Sequence, residues 1–436
     1  MKNKKNNDKV SKLQSMLYEM AKADNTRKFH SLYDKVYRID ILYEAWNAVK
    51  INHGAPGVDG ITIKEMEKDI DNSLKQLQDE LREHRYKPEP LRRVYIPKAN
   101  GKKRGLAIPT VRDRIVQAAI KMVIEPVFEP QFEPHSFGFR PDKSPHNAVD
   151  EIVKYLNYGC THIIDADIRG CFDNIDRHKL MDRIAERVTD SSLLQLINMI
   201  INTGIMEDNE IIDTEKGTPQ GSPLSPLLAN IFLDQIDKAW KASGLWKGEN
   251  AHLIRYADDL VILVGRNPAY PYEKLKQIIS DIGLQLSEEK TRVVEAYDGF
   301  DFLGFNFTRK YSKKKHKNTT RWFPSQKSQK KIREKIRELT GNKARSTATP
   351  EEAKDKVIPI LRGWGNYFSH SLASEVFNSV WNYAQDRLMY MYCHQHNIPS
   401  KWKNPKITQL HLSIMDTKPS TGKYIFPNRE RHNAIS

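Results

Sequence analysis

Residues 252–264 read HLIRYADDLVILV, two apolar, β-branched runs with the aspartates Asp258 and Asp259 at their centre. The pattern predicts two strands joined as a hairpin. An unpaired carboxylate within such a segment is costly, so the pair either faces solvent at a turn or is neutralised there. Aspartate suits turns. An Asp–Asp turn, however, lacks the Gly or Asn that tight two-residue hairpins favour, so turn chemistry alone does not account for the pair. A second β-branched run, THIIDADI at residues 161–168, carries Asp165 and Asp167. Alternation puts those two on one strand face and Ile164, Ala166 and Ile168 on the other.

Carboxylates that converge from neighbouring strands repel one another unless divalent cations neutralise them. Hard oxygen donors select Mg2+, which keeps waters and substrate phosphates among its ligands. Two such ions, about 3.5–4 Å apart, suit in-line phosphoryl or nucleotidyl transfer. The constellation therefore points to a two-Mg2+ site, with Mn2+ as the substitute ion. On this spacing alone Asp165 and Asp167 are both open as the third ligand.

The charge distribution points the same way. Lys and Arg number 70 against 55 acids, a net charge of +15. Residues 309–345 hold 15 of the cations and 2 Glu, residues 82–104 hold 9 and 2 Glu, and the remainder is slightly acidic. Positive charge gathered in two patches is what binding to a phosphate backbone requires. The three cysteines, Cys160, Cys171 and Cys393, form no CxxC pair, so neither a zinc site nor a disulfide framework is expected. The Lys/Asn-rich start has no apolar leader core, and no apolar run approaches the ~18 residues of a membrane span. The expectation is a soluble protein of a reducing compartment, the bacterial cytoplasm or nucleoid, with no membrane partner.

A chain of 436 residues exceeds one core, so two or three domains are expected. Residues 1–40 read as a basic, frayed or weakly helical extension. Helical periodicity marks residues 41–50, 63–85, 111–128, 147–156, 178–188, 193–203 and 273–282. Residues 92–98 and the segment after the ANGKK turn read as a strand hairpin, and residues 300–307 as one strand. KGTPQGSPLSPLLANIFLDQI (residues 216–236) reads as a Gly/Pro-rich loop feeding an apolar helix. Residues 309–322, with KKKHK at 313–317, read as a basic linker. A basic helix at 327–339 and a helical module at 351–391 follow, within a thumb-like module placed at residues 323–398. Residues 399–436 form a polar tail without assignment. The mixture without strict βαβ alternation predicts α+β for the first part and all-α for the second.

Six motifs then add up in order. YADD (256–259) resembles the active-site box of reverse transcriptases, and DIRGCFDNI (167–175) resembles their first acidic motif, with Phe172 five residues after Asp167. That spacing, within the resemblance, selects Asp167 over Asp165. GTPQGSPLSPLLANIFL (217–233), RRVYIPKANGKKRGLAIPTVRDRIVQAAI (92–120), SFGFRP (136–141) and FLGF (302–305) complete the scheme. NHGAPGVDG (52–60) and RGWGNYF (362–368) narrow it: the chain resembles bacterial group II intron reverse transcriptases, the second segment lying in their thumb or maturase domain. The resemblance implies a right-hand polymerase with fingers and palm at residues 41–308. It also implies an RNA template, a DNA or RNA primer, dNTPs and intron RNA as partners.

Roles follow residue by residue. Asp167 and Asp258 ligate the two metal ions, Asp259 completes the acidic triad, and Ile168 offers its backbone carbonyl. Phe172 is the ring that collides with a ribose 2′-hydroxyl. Lys98 and Arg104 flank the fingers turn, where two cations can close over a triphosphate. Gln220 contacts the incoming nucleotide or template base, with Gly221 allowing close backbone approach. Lys290 resembles the lysine that donates a proton to pyrophosphate. Lys327, Lys330, Lys331, Arg333 and Arg337, together with Arg362, Trp364 and Tyr367, are candidate RNA contacts, the aromatics either stacking on bases or, as with a packed Trp, anchoring the thumb. The absence of paired cysteines and of a long C-terminal segment leads us to expect the endonuclease-lacking form. Two alternatives remain open at this point: a free-standing reverse transcriptase in phage defence or DNA repair, and a splicing-only RNA-binding maturase.

Overall fold

The computed structural model describes residues 2–97, 101, 103–208, 210–213, 216–219, 221–313, 316–341 and 346–397. Lys98, Gln220 and the tail at 399–436 lie outside the described residues. The chain divides into two compact units. Met1–Glu151 with Ile164–Arg292 form the first, and Ile152–Ile163 with the chain from Val293 onward form the second.

The first unit begins with helices α1 (Lys2–Ala23), α2 (Tyr33–Val36), α3 (Ile39–Ile51), α4 (Ile63–Glu67) and α5 (Ile70–Arg82). Strands β1 (Leu91–Pro97) and β2 (Lys103–Ile108) and helices α6 (Val111–Phe128) and α7 (Pro145–Asn157) follow. Then come β3 (His162–Asp167), α8 (Cys171–Asn174), α9 (Arg177–Ala185), α10 (Ser191–Ile201), β4 (Ile205–Glu207) and β5 (Glu210–Ile212). Helices α11 (Ser225–Ala242) and α12 (Leu245–Gly248), strands β6 (Ala251–Tyr256) and β7 (Asp259–Val264), and α13 (Ala269–Asp281) complete it.

The N-terminal segment is a regular helix, not a frayed extension. Val10, Leu13, Leu17 and Ala21 are buried, and the Gln14 side chain donates to the Met122 carbonyl of α6 at 3.1 Å. Their spacing of three and four residues gives α1 a buried stripe, and the Lys/Asn-rich start just before it obscured it. The 63–85 region breaks into α4 and α5. Thr62 caps α4 in a capping box with Glu65.

Two sheets shape the first unit. One has the order β2-β1-β4-β5, with β1 and β2 antiparallel from Arg92↔Ile108 to Pro97↔Lys103. The other has the order β6-β7-β3-β8, where β8 is Arg292–Glu295, and the division between units falls within β3 and β8. Ile164 and Ala166 of β3 are buried while Asp165 and Asp167 are half-buried on the opposite face, as alternation predicts.

The second unit corrects the linker. Residues expected to form one strand and a basic linker are instead β9 (Phe300–Phe302), β10 (Phe305–Ser312) and β11 (Lys317–Pro324), a meander of order β11-β10-β9. Leu303 and Gly304 turn the first hairpin with φ of 49° and 80°, as a primed two-residue loop requires. The basic charges of residues 309–322 sit on a β-hairpin paired from Phe305↔Pro324 to Ser312↔Lys317. The division between the two compact units falls after Arg292. Helices α14 (Gln326–Thr340), α15 (Pro350–Phe368) and α16 (Ser374–Gln395) follow. They meet the sheet through Phe305, whose ring lies 4.7 Å from Phe368, and through Trp322, which donates to the His370 carbonyl at 2.7 Å. Among the described residues no helix is long and apolar enough to cross a membrane.

Candidate active site

The β6–β7 hairpin pairs Tyr256 with Asp259, so its two loop residues are Ala257 and Asp258. Asp259 opens β7, so the two aspartates do not form the turn between them. Ala257 takes φ 57° at the first loop position, the left-handed region that primed hairpins use. The register presents Asp258 at the tip and Asp259 beside it.

Both join Asp167, at the end of β3, in one cleft of about 360 Å3. Lys103, Arg104, Ile168, Phe172 and Lys290 line the same cleft. The Ser287 amide donates to the Asp167 carbonyl at 2.8 Å, and Ile168 bridges Leu286, which fixes where β3 ends. Asp165 turns elsewhere, to Arg292 at 3.0 Å. Of the two acids left open by spacing, Asp167 is the one in the cleft.

The electrostatics are strained. Burial raises the Asp258 carboxyl above its ordinary range, with Asp167 adding to the rise and Arg104 and Lys290 opposing it. Asp259 is pushed up to about 6, first by loss of hydration in the recess and then by Asp258, Asp167 and Asp165. Its outer edge reaches solvent, so the stability involved is smaller than a fully buried carboxyl would show. Lys290 donates to both Asp167 oxygens at 3.0 and 2.9 Å and supplies local positive charge.

Among the described residues no three His, Cys, Asp or Glu side chains close into a metal cage by themselves. An open set of carboxylates still fits Mg2+, which is ordinarily held by one or two carboxylates with substrate phosphates completing the shell. Crowded carboxylates that resist ionisation are groups a hard divalent cation would relieve.

A stability test follows from the sign of the shift. Asp259 has its proton affinity raised on folding, from 3.8 to about 6. Folded protein therefore holds the proton more tightly, and stability is lost as pH rises from about 4 to about 6. Asp259→Asn in EDTA should melt at a higher temperature than wild type at pH 8 and at a similar one near pH 4. Equal melting temperatures at both pH values would contradict the crowding.

Residues 96–307 match the family described as reverse transcriptase (RNA-dependent DNA polymerase), and residues 329–407 match the group II intron maturase-specific domain. Protein YkfC of Escherichia coli is 31% identical over 342 residues, covering 70% of this chain and 90% of YkfC. The chain belongs to the group II intron reverse transcriptase/maturase family. Group II intron-encoded protein LtrA of Lactococcus lactis is 39% identical over 211 residues, 48% of this chain but 35% of LtrA. Among solved structures, a partial Cas6-RT-Cas1–Cas2 complex gives a TM-score of 0.37 at 26% identity, over 58% of this chain and 43% of that one. The RNA-directed DNA polymerase activity is that of the family's catalytic domain.

In this reverse transcriptase the loop that carries Gln220 is docked by its backbone onto the first acidic motif. Thr218 N donates to the Phe172 carbonyl, Gly217 N donates to the Ile175 carbonyl, both at 2.8 Å, and buried Arg177 donates to the Gly217 carbonyl at 2.9 Å. Phe172 packs one side of its ring against the core and borders the cleft with the other. Gly221 has φ 124°, and a Cβ there would lie 2.8 Å from the Ala107 carbonyl of β2. The close approach expected at Gly221 is thus to the fingers strand. Arg104 is exposed at the cleft.

The candidate RNA contacts divide. On α14, Ile332 and Ile336 face the core, while Lys327, Lys330, Lys331, Lys335 and Arg337 are exposed. Arg333 sits at the seam and donates to Ser379 Oγ at 2.9 Å. Arg362 is exposed. Trp364 and Tyr367 both make packing contacts within the protein. Trp364 lies 4.9 Å from Phe368 and 5.6 Å from Phe377, and the Tyr367 hydroxyl donates to the Leu303 carbonyl at 2.9 Å. Of the two readings of these aromatics, these contacts favour the packed one. Sequence reasoning missed Arg177, Arg255 and Gly138. Their signal was weak, because buried arginines and a loop glycine have no periodic signature.

Proposed function

We propose that this chain extends a primer 3′-hydroxyl with dNTPs on an RNA template, at a two-Mg2+ centre held by Asp167, Asp258 and Asp259. We propose that it also binds the RNA of a group II intron and assists its splicing. The observation that carries the polymerase half is the single cleft in which the three carboxylates meet Arg104, Lys290 and Phe172. When bound, the divalent ions supply charge neutralisation for the attacking oxygen and the leaving pyrophosphate. The protein's own groups do the rest. Asp167 and Asp258 orient the ions, with the Ile168 carbonyl as a further donor. Asp259 completes the negative field that draws the ions in. Arg104 and Lys98 meet the triphosphate, and Gln220 meets the base pair being formed. Lys290, which donates to Asp167 in the same cleft, would supply the proton for the leaving pyrophosphate.

Phe172 closes the cleft beneath the sugar and excludes a 2′-hydroxyl. Phe172→Ala should raise rNTP use relative to dNTP use by about 10–100-fold, in line with the reach of steric discrimination in a pocket. Competition between dGTP and GTP on a poly(rC) template measures it, and unchanged selectivity would remove Phe172 from this role.

The intron half rests on the exposed basic side of α14. Lys327, Lys331 and Lys335 recur every four residues on one stripe. Replacing all three with Glu should weaken RNA binding and lower the slope of log affinity against log salt by about two to three units. A filter-binding series over salt concentration reads the slope, and an unchanged slope would place the RNA elsewhere.

A further inference from the structure

The catalytic hairpin has a clamp behind it. Arg255, on β6 three residues before Asp258, is fully buried. Its Nε donates to the Asp237 carboxylate at 2.8 and 3.1 Å, and its Nη2 to the same group at 2.6 Å. Its Nη1 donates to Asn230 Oδ1 at 2.9 Å and to the Ala257 carbonyl at 3.0 Å. That carbonyl belongs to the peptide joining Ala257 to Asp258. Asn230, itself 1% exposed, donates from Nδ2 to the Gly138 carbonyl at 2.8 Å.

The backbone of Arg255 is held as well. Its amide donates to the His135 carbonyl at 3.0 Å, and its carbonyl accepts from Phe137 N at 2.9 Å. Helix α11 and the β6–β7 hairpin thus meet on the Arg255 guanidinium, and the loop at residues 133–140 is held by the Arg255 backbone and Asn230. A buried ion pair of this kind is weak evidence for stability, because desolvation offsets the attraction. What the planar fork supplies is direction: two nitrogens fixed on Asp237 aim the third at the loop peptide.

We propose that Arg255, anchored by Asp237 and Asn230, is a positioning residue for the metal centre: through the Ala257 carbonyl it holds Asp258 in the orientation that receives a divalent cation. The assignment rests on the reading of Asp258 as a metal ligand. Groups that orient metal ligands typically change metal affinity or activity by about 10–100-fold when lost. Arg255→Lys keeps the charge but not the fork. Asn230→Ala keeps the arginine but removes both its side anchor and the link to Gly138.

The test is Mn2+ binding to the full chain with an annealed RNA template and DNA primer, followed by electron paramagnetic resonance, with Asp258→Asn as the reference. Primer–template affinity and melting temperature are measured alongside. Arg255→Lys and Asn230→Ala should both bind Mn2+ about 10–100-fold more weakly, with primer–template affinity unchanged. If Arg255→Lys fails to fold, Asn230→Ala decides. Wild-type Mn2+ affinity in the folded variants, with weak binding by Asp258→Asn, would overturn the positioning role alone. Wild-type Mn2+ affinity in Asp258→Asn would overturn the reading of the metal site on which it rests.

Discussion

Asp258→Asn should lower primer extension by on the order of 10³-fold, the scale of losing one charge-stabilising group at a reacting centre, while RNA affinity stays close to wild type. Asparagine preserves the shape of the hairpin tip but carries no charge. Asp258 lies at the loop of β6–β7, where burial and Asp167 already disfavour its ionised form. That energetic disadvantage is tolerated because the ionised carboxylate has work to do when a cation arrives. RNA affinity, under the proposed function, comes from positive charge on other surfaces, α14 among them, and depends on salt in its own way. Steady-state incorporation and equilibrium RNA binding on the same preparation separate the two effects. If the variant extends at the wild-type rate, Asp258 is not a metal ligand.

Gly138→Ala should lower kcat by about 10²-fold, the scale on which a displacement near 1 Å acts on a reacting geometry. A Cβ at residue 138 would lie 2.3 Å from the Ala257 amide nitrogen and 2.9 Å from the Tyr256 carbonyl carbon. Both are backbone atoms, so no flexible side chain can yield. The loop must move off the hairpin or the hairpin must move with it, and either displaces the peptide that precedes Asp258. The loss should appear in kcat with dNTP KM changed little, since the fingers cations are untouched. Pre-steady-state extension measures it. A wild-type kcat would show that the hairpin does not depend on this contact.

The legible and hidden parts of the molecule differ for physical reasons. The acidic hairpin and β3 were readable because β-branched runs around polar residues have few alternatives, and alternation placed Asp165 and Asp167 on one face correctly. The choice between them came from the resemblance, through the spacing to Phe172, and its physical reason is a partner the sequence does not show: Arg292 takes Asp165, leaving Asp167 in the cleft. Helix α6 was readable to the residue because Thr110 caps it and accepts from Asp113 N. Helix α1 was not, because its thin apolar stripe lies among lysines. The strand pairing at residues 305–324 was hidden for a related reason, since KKKHK dominates the composition while the pairing is set by flanking aromatic residues. The aromatics of RGWGNYF stayed open between base stacking and packing because sequence shows a ring's identity but not its neighbours. Arg255 was invisible for the same reason, since a buried arginine reads as a surface one until its carboxylate is found.

The most direct test of the account is incorporation of labelled dTTP by the wild-type chain on poly(rA) primed with oligo(dT), with Mg2+ and again with EDTA. The account predicts template-dependent synthesis that requires the metal and disappears in Asp258→Asn. No incorporation by folded wild-type protein with Mg2+, or synthesis that persists in Asp258→Asn, would contradict it.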